Sequence, residues 1–272
     1  MRVTVLVENT SCKSSIGAQH GLSLFIETED KRILFDMGAD DLFLKNAEAL
    51  GIDLKTVDLA ILSHGHWDHG GGIEAFFAAN DKAPLYIKRG AFAPLYSLRS
   101  DGAHHWAGLE PSLEGNERII YNEGETILGD GLTLFGDIPD VHGLPLGNQT
   151  LFERVGGHYE VDPFSHEQYL LIEEGGHRIL ITGCSHRGIA NIIEATEKRY
   201  GSVPTTVIGG FHLMDYTEED HEALDRIAAG LLATGARFYT GHCTGEESYE
   251  YLKRIMGPSL HYASGGLVLE IE

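Results

Sequence analysis

The sequence predicts a mixed α/β fold, on three observations. The first third reads as strands joined by short polar turns, and the last third alternates helical with extended patterns. Between them the run 57–62, apolar but for Asp58 and a buried strand by its composition, ends in Ser63-His64-Gly65-His66-Trp67-Asp68-His69-Gly70-Gly71-Gly72. A strand end of that kind is a rigid platform for chemistry. Periodicity alone supports no finer class.

Taken in order, residues 2–7, 21–28 and 32–35 are strands, the last two joined by the turn Glu29-Asp30-Lys31. Residues 40–50 are helical, with Leu42, Phe43, Ala47 and Leu50 near helical spacing and Gly51 as the stop. After the glycines, Ile73, Phe76 and Phe77 mark a short helix, and 84–88 resumes as a strand. Residues 91–118 mix Gly, Pro and Ser with Tyr96, His104, His105 and Trp106 and show no period. A loop that long is usually functional or mobile, so this stretch is expected to be a lid insertion over the site or a plain surface excursion. Strands return at 118–121, 126–128, 132–135, 151–155, 169–173 and 178–182, with Gly175-Gly176 turning the last hairpin.

Beyond them, Ile189, Ile192 and Ile193 mark a helix face, and 205–208 a strand. Thr217-Glu218-Glu219-Asp220 reads as the capped start of a helix with Leu224, Ile227, Ala228, Leu231 and Leu232 on one face. Strand 237–240 follows. Thr244 and Glu247 read as a capping box for a last helix with Tyr251, Leu252 and Ile255 inward, and 267–271 closes a single domain of residues 1–272.

Composition narrows the classes of function. With 20 Lys and Arg against 41 Asp and Glu, the formal charge is −21, so a polyanion is repelled over most of the surface and nucleic acid is not expected as a partner. No apolar run reaches the length of a membrane span, and the N-terminus lacks a signal peptide's apolar region, so a cytoplasmic protein with a small-molecule substrate is expected. Cys12, Cys184 and Cys243 are too few and scattered for a disulfide framework.

The central stretch carries the chemistry. His64 and His66, two apart, leave one side of an extended segment, whereas Asp68 and His69 need a sharp turn that the following glycines permit. Imidazole nitrogen and carboxylate oxygen are donors for Zn²⁺ and also suit Mn²⁺ or Fe²⁺. A solvated His-rich loop is the plain alternative. It explains a single histidine better than three with a carboxylate in six residues.

The pattern His-x-His-x-Asp-His resembles the signature of the metallo-β-lactamase superfamily. Upstream, Ile33-Leu34-Phe35-Asp36-Met37-Gly38 resembles its strand ending in Asp-x-Gly, and Gly241-His242 its last ligand motif. The resemblance implies an αββα four-layer sandwich, with two divalent ions at one edge between two mixed sheets. It implies His64 and His66 on the first ion, and Asp68, His69 and His242 on the second. Where the superfamily's fourth motif has an aspartate after Thr-Gly, this chain has Cys184, either a thiolate ligand favouring zinc or a buried core residue. The third motif is filled by His186, by His166 or by none. His212 is similar in position to the superfamily's leaving-group acid, and His20 and Trp106 are candidates for contact with substrate; each has a structural role as its alternative.

His20-Gly21-Leu22-Ser23, Gly183-Cys184-Ser185-His186, Gly209-Gly210-Phe211-His212 and Gly241-His242-Cys243-Thr244-Gly245 resemble one branch more closely. It is the branch named after 7,8-dihydropterin-6-methyl-4-(β-D-ribofuranosyl)aminobenzene-5′-phosphate synthase. The expected function is a metal-dependent hydrolase: a metal-activated hydroxide, oriented by Asp68, attacks an ester-like or phosphodiester small molecule while His212 gives the proton. The alternatives are a transferase of the synthase type and an iron-binding redox or sensor protein.

Overall fold

The computed structural model describes residues 1–271. Three strands come first, β1 (Arg2–Val7), β2 (Ser23–Glu27) and β3 (Arg32–Phe35), followed by helix α1 (Leu42–Ala49) and β4 (Leu59–Ile61). The one-turn helix α2 (Trp67–Gly70) and α3 (Ile73–Ala79) lead to β5 (Leu85–Lys88), β6 (Leu95–Leu98), β7 (His104–Trp106) and β8 (Ile119–Asn122). Next come β9 (Thr126–Gly129), β10 (Leu132–Gly136), β11 (Leu151–Val155), β12 (His158–Val161), β13 (Gln168–Glu174) and β14 (His177–Ile181). The chain then alternates through α4 (Ile189–Tyr200), β15 (Thr206–Ile208), α5 (His221–Ala233), β16 (Arg237–Thr240) and α6 (Glu246–Met256), and ends in β17 (Leu260–Tyr262) and β18 (Val268–Glu270).

These strands build two seven-stranded mixed sheets, β18-β1-β2-β3-β4-β5-β8 and β17-β16-β15-β14-β13-β10-β9. Strand alternation sorts the core into three layers. Leu24, Ile26, Ile33, Phe35, Leu59 and Ile61 of the first sheet meet Leu170, Ile172, Ile179 and Ile181 of the second in one buried cluster between the sheets. The intervening residues point outward: Phe25, Leu34 and Ala60 onto Phe43 of α1 and Ile73 and Phe76 of α3. Likewise Leu171, Leu180 and Val207 face Ile192 of α4, Leu224 and Leu231 of α5 and Leu252 of α6. Strands buried on both faces need apolar residues at every position, which is why they read as continuous runs rather than alternations. The result is the four-layer αββα sandwich.

Strand direction decides where chemistry can occur. β3, β4 and β5 run parallel in the first sheet, as do β14, β15, β16 and β17 in the second. Their C-terminal ends meet at one edge, the usual place for a site in open α/β sheets. The sheets touch closely there. A Cβ at Gly183 would fall 2.1 Å from Ser63 Oγ, so only glycine lets the end of β14 reach the histidine motif. Gln168 stitches the same edge: its backbone N–H donates to the Ser63 carbonyl (2.8 Å), its Nε2 to the Leu62 (2.8 Å) and Tyr86 (3.1 Å) carbonyls, and its Oε1 accepts from Asn122.

The structure departs from the sequence reading in three places. Residues 91–118 are not an irregular loop: β6 and β7 pair there, and β11 and β12 complete a small antiparallel sheet ordered β12-β11-β6-β7. Its cohesion is non-local, through Tyr96 against Trp106 and Tyr159, and His104 stacked on Tyr159 at 3.8 Å. Local periodicity carries no trace of that. Thr244 does not cap α6; its hydroxyl accepts from the Phe211 N–H (2.9 Å) and pairs with Thr240, which ties β15 to β16 instead. Leu232 and Ile255 are 38% and 40% exposed, because each outer helix buries only a narrow stripe. Among the described residues no helix is long and apolar enough to cross a membrane.

Replacing Gln168 with leucine leaves Leu62 and Asn122 short of a partner in a buried seam. Gln168→Leu is expected to lower unfolding free energy by about 2 kcal/mol, read from the urea midpoint; an unchanged midpoint would mean that apolar packing alone holds this edge.

Candidate metal centre

Six strand ends supply the site. β4 runs into His64, and His66 sits in extended conformation before α2, whose single turn swings Asp68 and His69 round to the same side. From the second sheet come Cys184 and His186 after β14, His212 after β15 and His242 after β16. From the first sheet, Asn9 follows β1 and Asp36 follows β3. Four non-glycine residues here hold left-handed backbone angles, Asp36 (φ 58°), Ser185 (61°), His212 (52°) and His242 (50°). Such conformations cost about 1–3 kcal/mol each and concentrate at functional sites.

The outer hydrogen bonds of the histidines determine what their inner nitrogens can do. His64 Nδ1 donates to Ser63 Oγ (2.8 Å), His69 Nδ1 to Asp36 Oδ2 (2.6 Å), His242 Nδ1 to Asn9 Oδ1 (2.9 Å) and His186 Nδ1 to Asn148 Oδ1 (3.0 Å). Ser63 Oγ spends its own proton on Asp36 (2.7 Å), which leaves it only able to accept. These partners assign the tautomer. Each ring therefore turns an unprotonated Nε2 inward.

The inward atoms form a crowd of lone pairs. His69 Nε2 and His242 Nε2 face each other at 3.1 Å, and Asp68 Oδ2 stands 3.2 Å from His242 Nε2. The Cys184 thiol, 3.1 Å from His69 Nε2, has one proton to offer this group. His64 Nε2 and His66 Nδ1 are 3.0 Å apart, and His186 Nε2 and both His212 nitrogens are buried without a hydrogen-bond partner among the described residues. Acceptors pressed together with too few protons call for cations. The ligand atoms of His64, His66 and His186 lie within 4.8 Å of one another; so do those of His64, His69 and Cys184, and those of His20, Asp68 and His242. Imidazole, carboxylate and thiol together fit zinc-type ions.

Electrostatics agree with that reading for four rings, His64, His66, His186 and His242, and favour the proton at His69. Burial, then the neighbouring histidines, pushes His64 and His186 well below the usual imidazole range, and burial pushes His66 down to about 4. His242 is lowered by burial, against Asp68. His69 is raised: burial opposes its charge, but Asp36 and Asp68 outweigh it. For Asp68 burial works against ionisation, yet His69 and hydrogen bonds from His20 and His242 hold its carboxyl well below the carboxylate range. Burial drives the Cys184 thiol well above its ordinary value, with Cys243 adding to the rise. A thiol so disfavoured as a free anion needs a metal to ionise.

The structure brings His64, His66, Asp68, His69, Cys184, His186 and His242 into one buried cluster. His166 stands apart from it, with Nδ1 taken by the Gly65 N–H (3.1 Å) and Nε2 by Asp162 (3.0 Å). His20 lies at the mouth, its side chain 45% exposed and Nε2 3.3 Å from Asp68. His212 is in the cluster, 4.1 Å ring to ring from His186, and burial pushes it down to about 3. Trp106 is not turned to the cluster: its ring packs on Tyr96 and its indole N–H bonds the Gly108 carbonyl. The adjacent Ala107 carbonyl does accept from the Trp67 N–H (3.0 Å), so the end of β7 borders the motif.

Sequence reasoning missed the orienting groups. Asn9 and Asn148 lie in turns with nothing nearby to mark them, and Glu8 and Glu167 look like ordinary acids. Glu8 accepts the His242 N–H (2.6 Å), and Glu167 accepts the N–H groups of His186 (2.7 Å) and Arg187 (2.9 Å). Burial raises the Glu167 carboxyl, against these donors and the Tyr169 hydroxyl.

Comparison with known proteins agrees with the geometry. The family model of the metallo-β-lactamase superfamily matches residues 16–242. A 7,8-dihydropterin-6-methyl-4-(β-D-ribofuranosyl)-aminobenzene-5′-phosphate synthase of Methanocaldococcus jannaschii is 29% identical over 89% of this chain and 86% of its own. A solved structure, Tm1679, a metal-dependent hydrolase of the β-lactamase superfamily, is also 29% identical and superposes with a TM-score of 0.84, covering 100% of this chain and 99% of that one. Zn²⁺-bound PqqB from Methylobacterium extorquens, at 14% identity and a TM-score of 0.60 over the whole of both chains, shares the fold. By the matched model, the fold and the donor cluster, the chain belongs to the metallo-β-lactamase superfamily.

Proposed function

We propose that this protein is a metal-dependent hydrolase of a small ester-like or phosphodiester substrate, working with two divalent ions, zinc for preference. The observation that carries the reading is the outer hydrogen-bond set, which leaves His64, His69, His186 and His242 with unprotonated nitrogens facing one another. In this reading His64, His66 and His186 hold one ion, and Asp68, His69 and His242 the other, with Cys184 between the two groups. Bound ions would supply Lewis acidity and make water acidic enough to attack near neutral pH.

The chain's own residues do the rest. Asp36 and Ser63 keep His69 and His64 from rotating, so the donors need no reorganisation when substrate arrives. Asp68 orients the attacking group. His20, bonded to Asp68 and open to solvent, is the residue we propose for moving protons between the site and bulk water. His212 stands as the proton donor to the departing oxygen. The acidic surface suits a small substrate better than a polyanion.

A second reading is a transferase of the synthase type, favoured by the M. jannaschii relative that matches over most of both chains. Product analysis separates the two. Incubation with bis(p-nitrophenyl) phosphate and p-nitrophenyl esters releases nitrophenol in the hydrolase reading; no release, with condensation of a dihydropterin pyrophosphate and an arylamine phosphoribosyl acceptor, would establish the transferase.

Elemental analysis of the purified chain is expected to find about two divalent ions, falling by about one in His66→Ala and in His242→Ala. Metal content in both variants equal to that of the unmutated chain would sink the assignment. Asn148→Leu removes the acceptor that fixes His186, and is expected to weaken metal affinity by about 10–100-fold in chelator competition without unfolding the chain.

A further inference from the structure

Cys243 is a buried thiol that the proposed chemistry leaves unused. It is 2% exposed, directly follows His242, and makes one long hydrogen bond, 3.5 Å to the Cys184 carbonyl. Its Sγ, the Sγ of Cys184 and a ring nitrogen of His242 all lie within 4.8 Å of one another. Zinc at about 2.3 Å from sulfur and about 2.0 Å from nitrogen sets tetrahedral ligand atoms roughly 3.5–3.8 Å apart. The three atoms therefore need to tighten by about 1.3 Å at most to close on an ion.

A second observation concerns the space the thiol occupies. A Cβ on Gly210 would lie 2.4 Å from Cys243 Sγ, so the sulfur sits there only because position 210 carries no side chain. Glycine after β15 thus makes room for a sulfur beside Cys184. A structural filler would not need that pairing, since any small apolar side chain at 243 would pack as well.

We propose that Cys243 is a second thiolate ligand beside Cys184, making the His242 side of the centre a two-sulfur position for a thiophilic ion. This rests on the metal-centre reading above. Each metal–sulfur bond forms as one thiol gives its proton to solvent, so the pair releases two protons and carries no redox change. Two soft donors select Zn²⁺ or Cd²⁺ over Mn²⁺ and Mg²⁺.

The test is Co²⁺ titration of metal-free full-length protein, reading thiolate-to-cobalt charge-transfer absorbance. Cys184→Ser and Cys243→Ser should each lose about half of that band, and the double variant all of it, while the cobalt d–d bands persist. A full band in Cys243→Ser overturns the proposal and leaves Cys184 as the single thiolate. Failure of the unmutated protein to bind cobalt at all overturns the metal-centre reading itself, and this one with it. Should Cys243→Ser not fold, X-ray absorption at the zinc edge of the unmutated, zinc-loaded chain decides: two sulfurs per chain support the ligand, one refutes it.

Discussion

The Asp36 carboxylate is the contact on which the centre depends. It is fully buried, at a left-handed φ of 58°, and binds three donors: the Ser63 N–H (2.7 Å), the Ser63 hydroxyl (2.7 Å) and His69 Nδ1 (2.6 Å). Through Ser63 it also sets the tautomer of His64. One side chain at the end of β3 thus orients two ligands at the end of β4. The strained backbone and the buried charge are both unfavourable alone, and three hydrogen bonds to one carboxylate offset them.

The histidines of the second sheet are held by the same device with neutral amides. Asn9 and Asn148 hold His242 and His186 as Asp36 holds His69, but without adding charge. That difference follows from location. His69 stands beside Asp68, and the raised basicity of its ring reflects two carboxylates. Charged partners on all four rings would load the edge with buried anions. Amides orient the rings and leave the net charge to Asp68 and the thiol.

Much of the fold was legible because both sheets are buried on both faces, so strand segments such as 33–35 and 179–181 appear as unbroken apolar runs. The histidine motif was legible because its donors are local in sequence. What was hidden is non-local. The small sheet is held by aromatic pairs such as His104 with Tyr159, some fifty residues apart, and no window shorter than that shows them. Asn148 is marked only by His186, which folding alone brings within 3.0 Å. Thr244 illustrates the opposite error. Its spacing to Glu247 imitates a capping box, but a buried N–H at Phe211 competes for the hydroxyl and takes it, because an unsatisfied donor inside the sandwich costs more than an uncapped helix end in contact with solvent.

The two halves of the centre are unequal in hardness, and this bears on the chemistry more than the count of ligands does. His64, His66 and His186 form an all-imidazole position, neutral and open to any borderline ion. On the other side Asp68 supplies a hard oxygen and Cys184 a soft sulfur, so the choice of ion there turns on whether carboxylate or thiolate dominates. Sulfur in place of a carboxylate would donate more charge to an ion held there and leave it a weaker Lewis acid than one held by oxygen. Asp68 is also the donor that connects this side to solvent, because the half-exposed His20 ring bonds it at 3.3 Å.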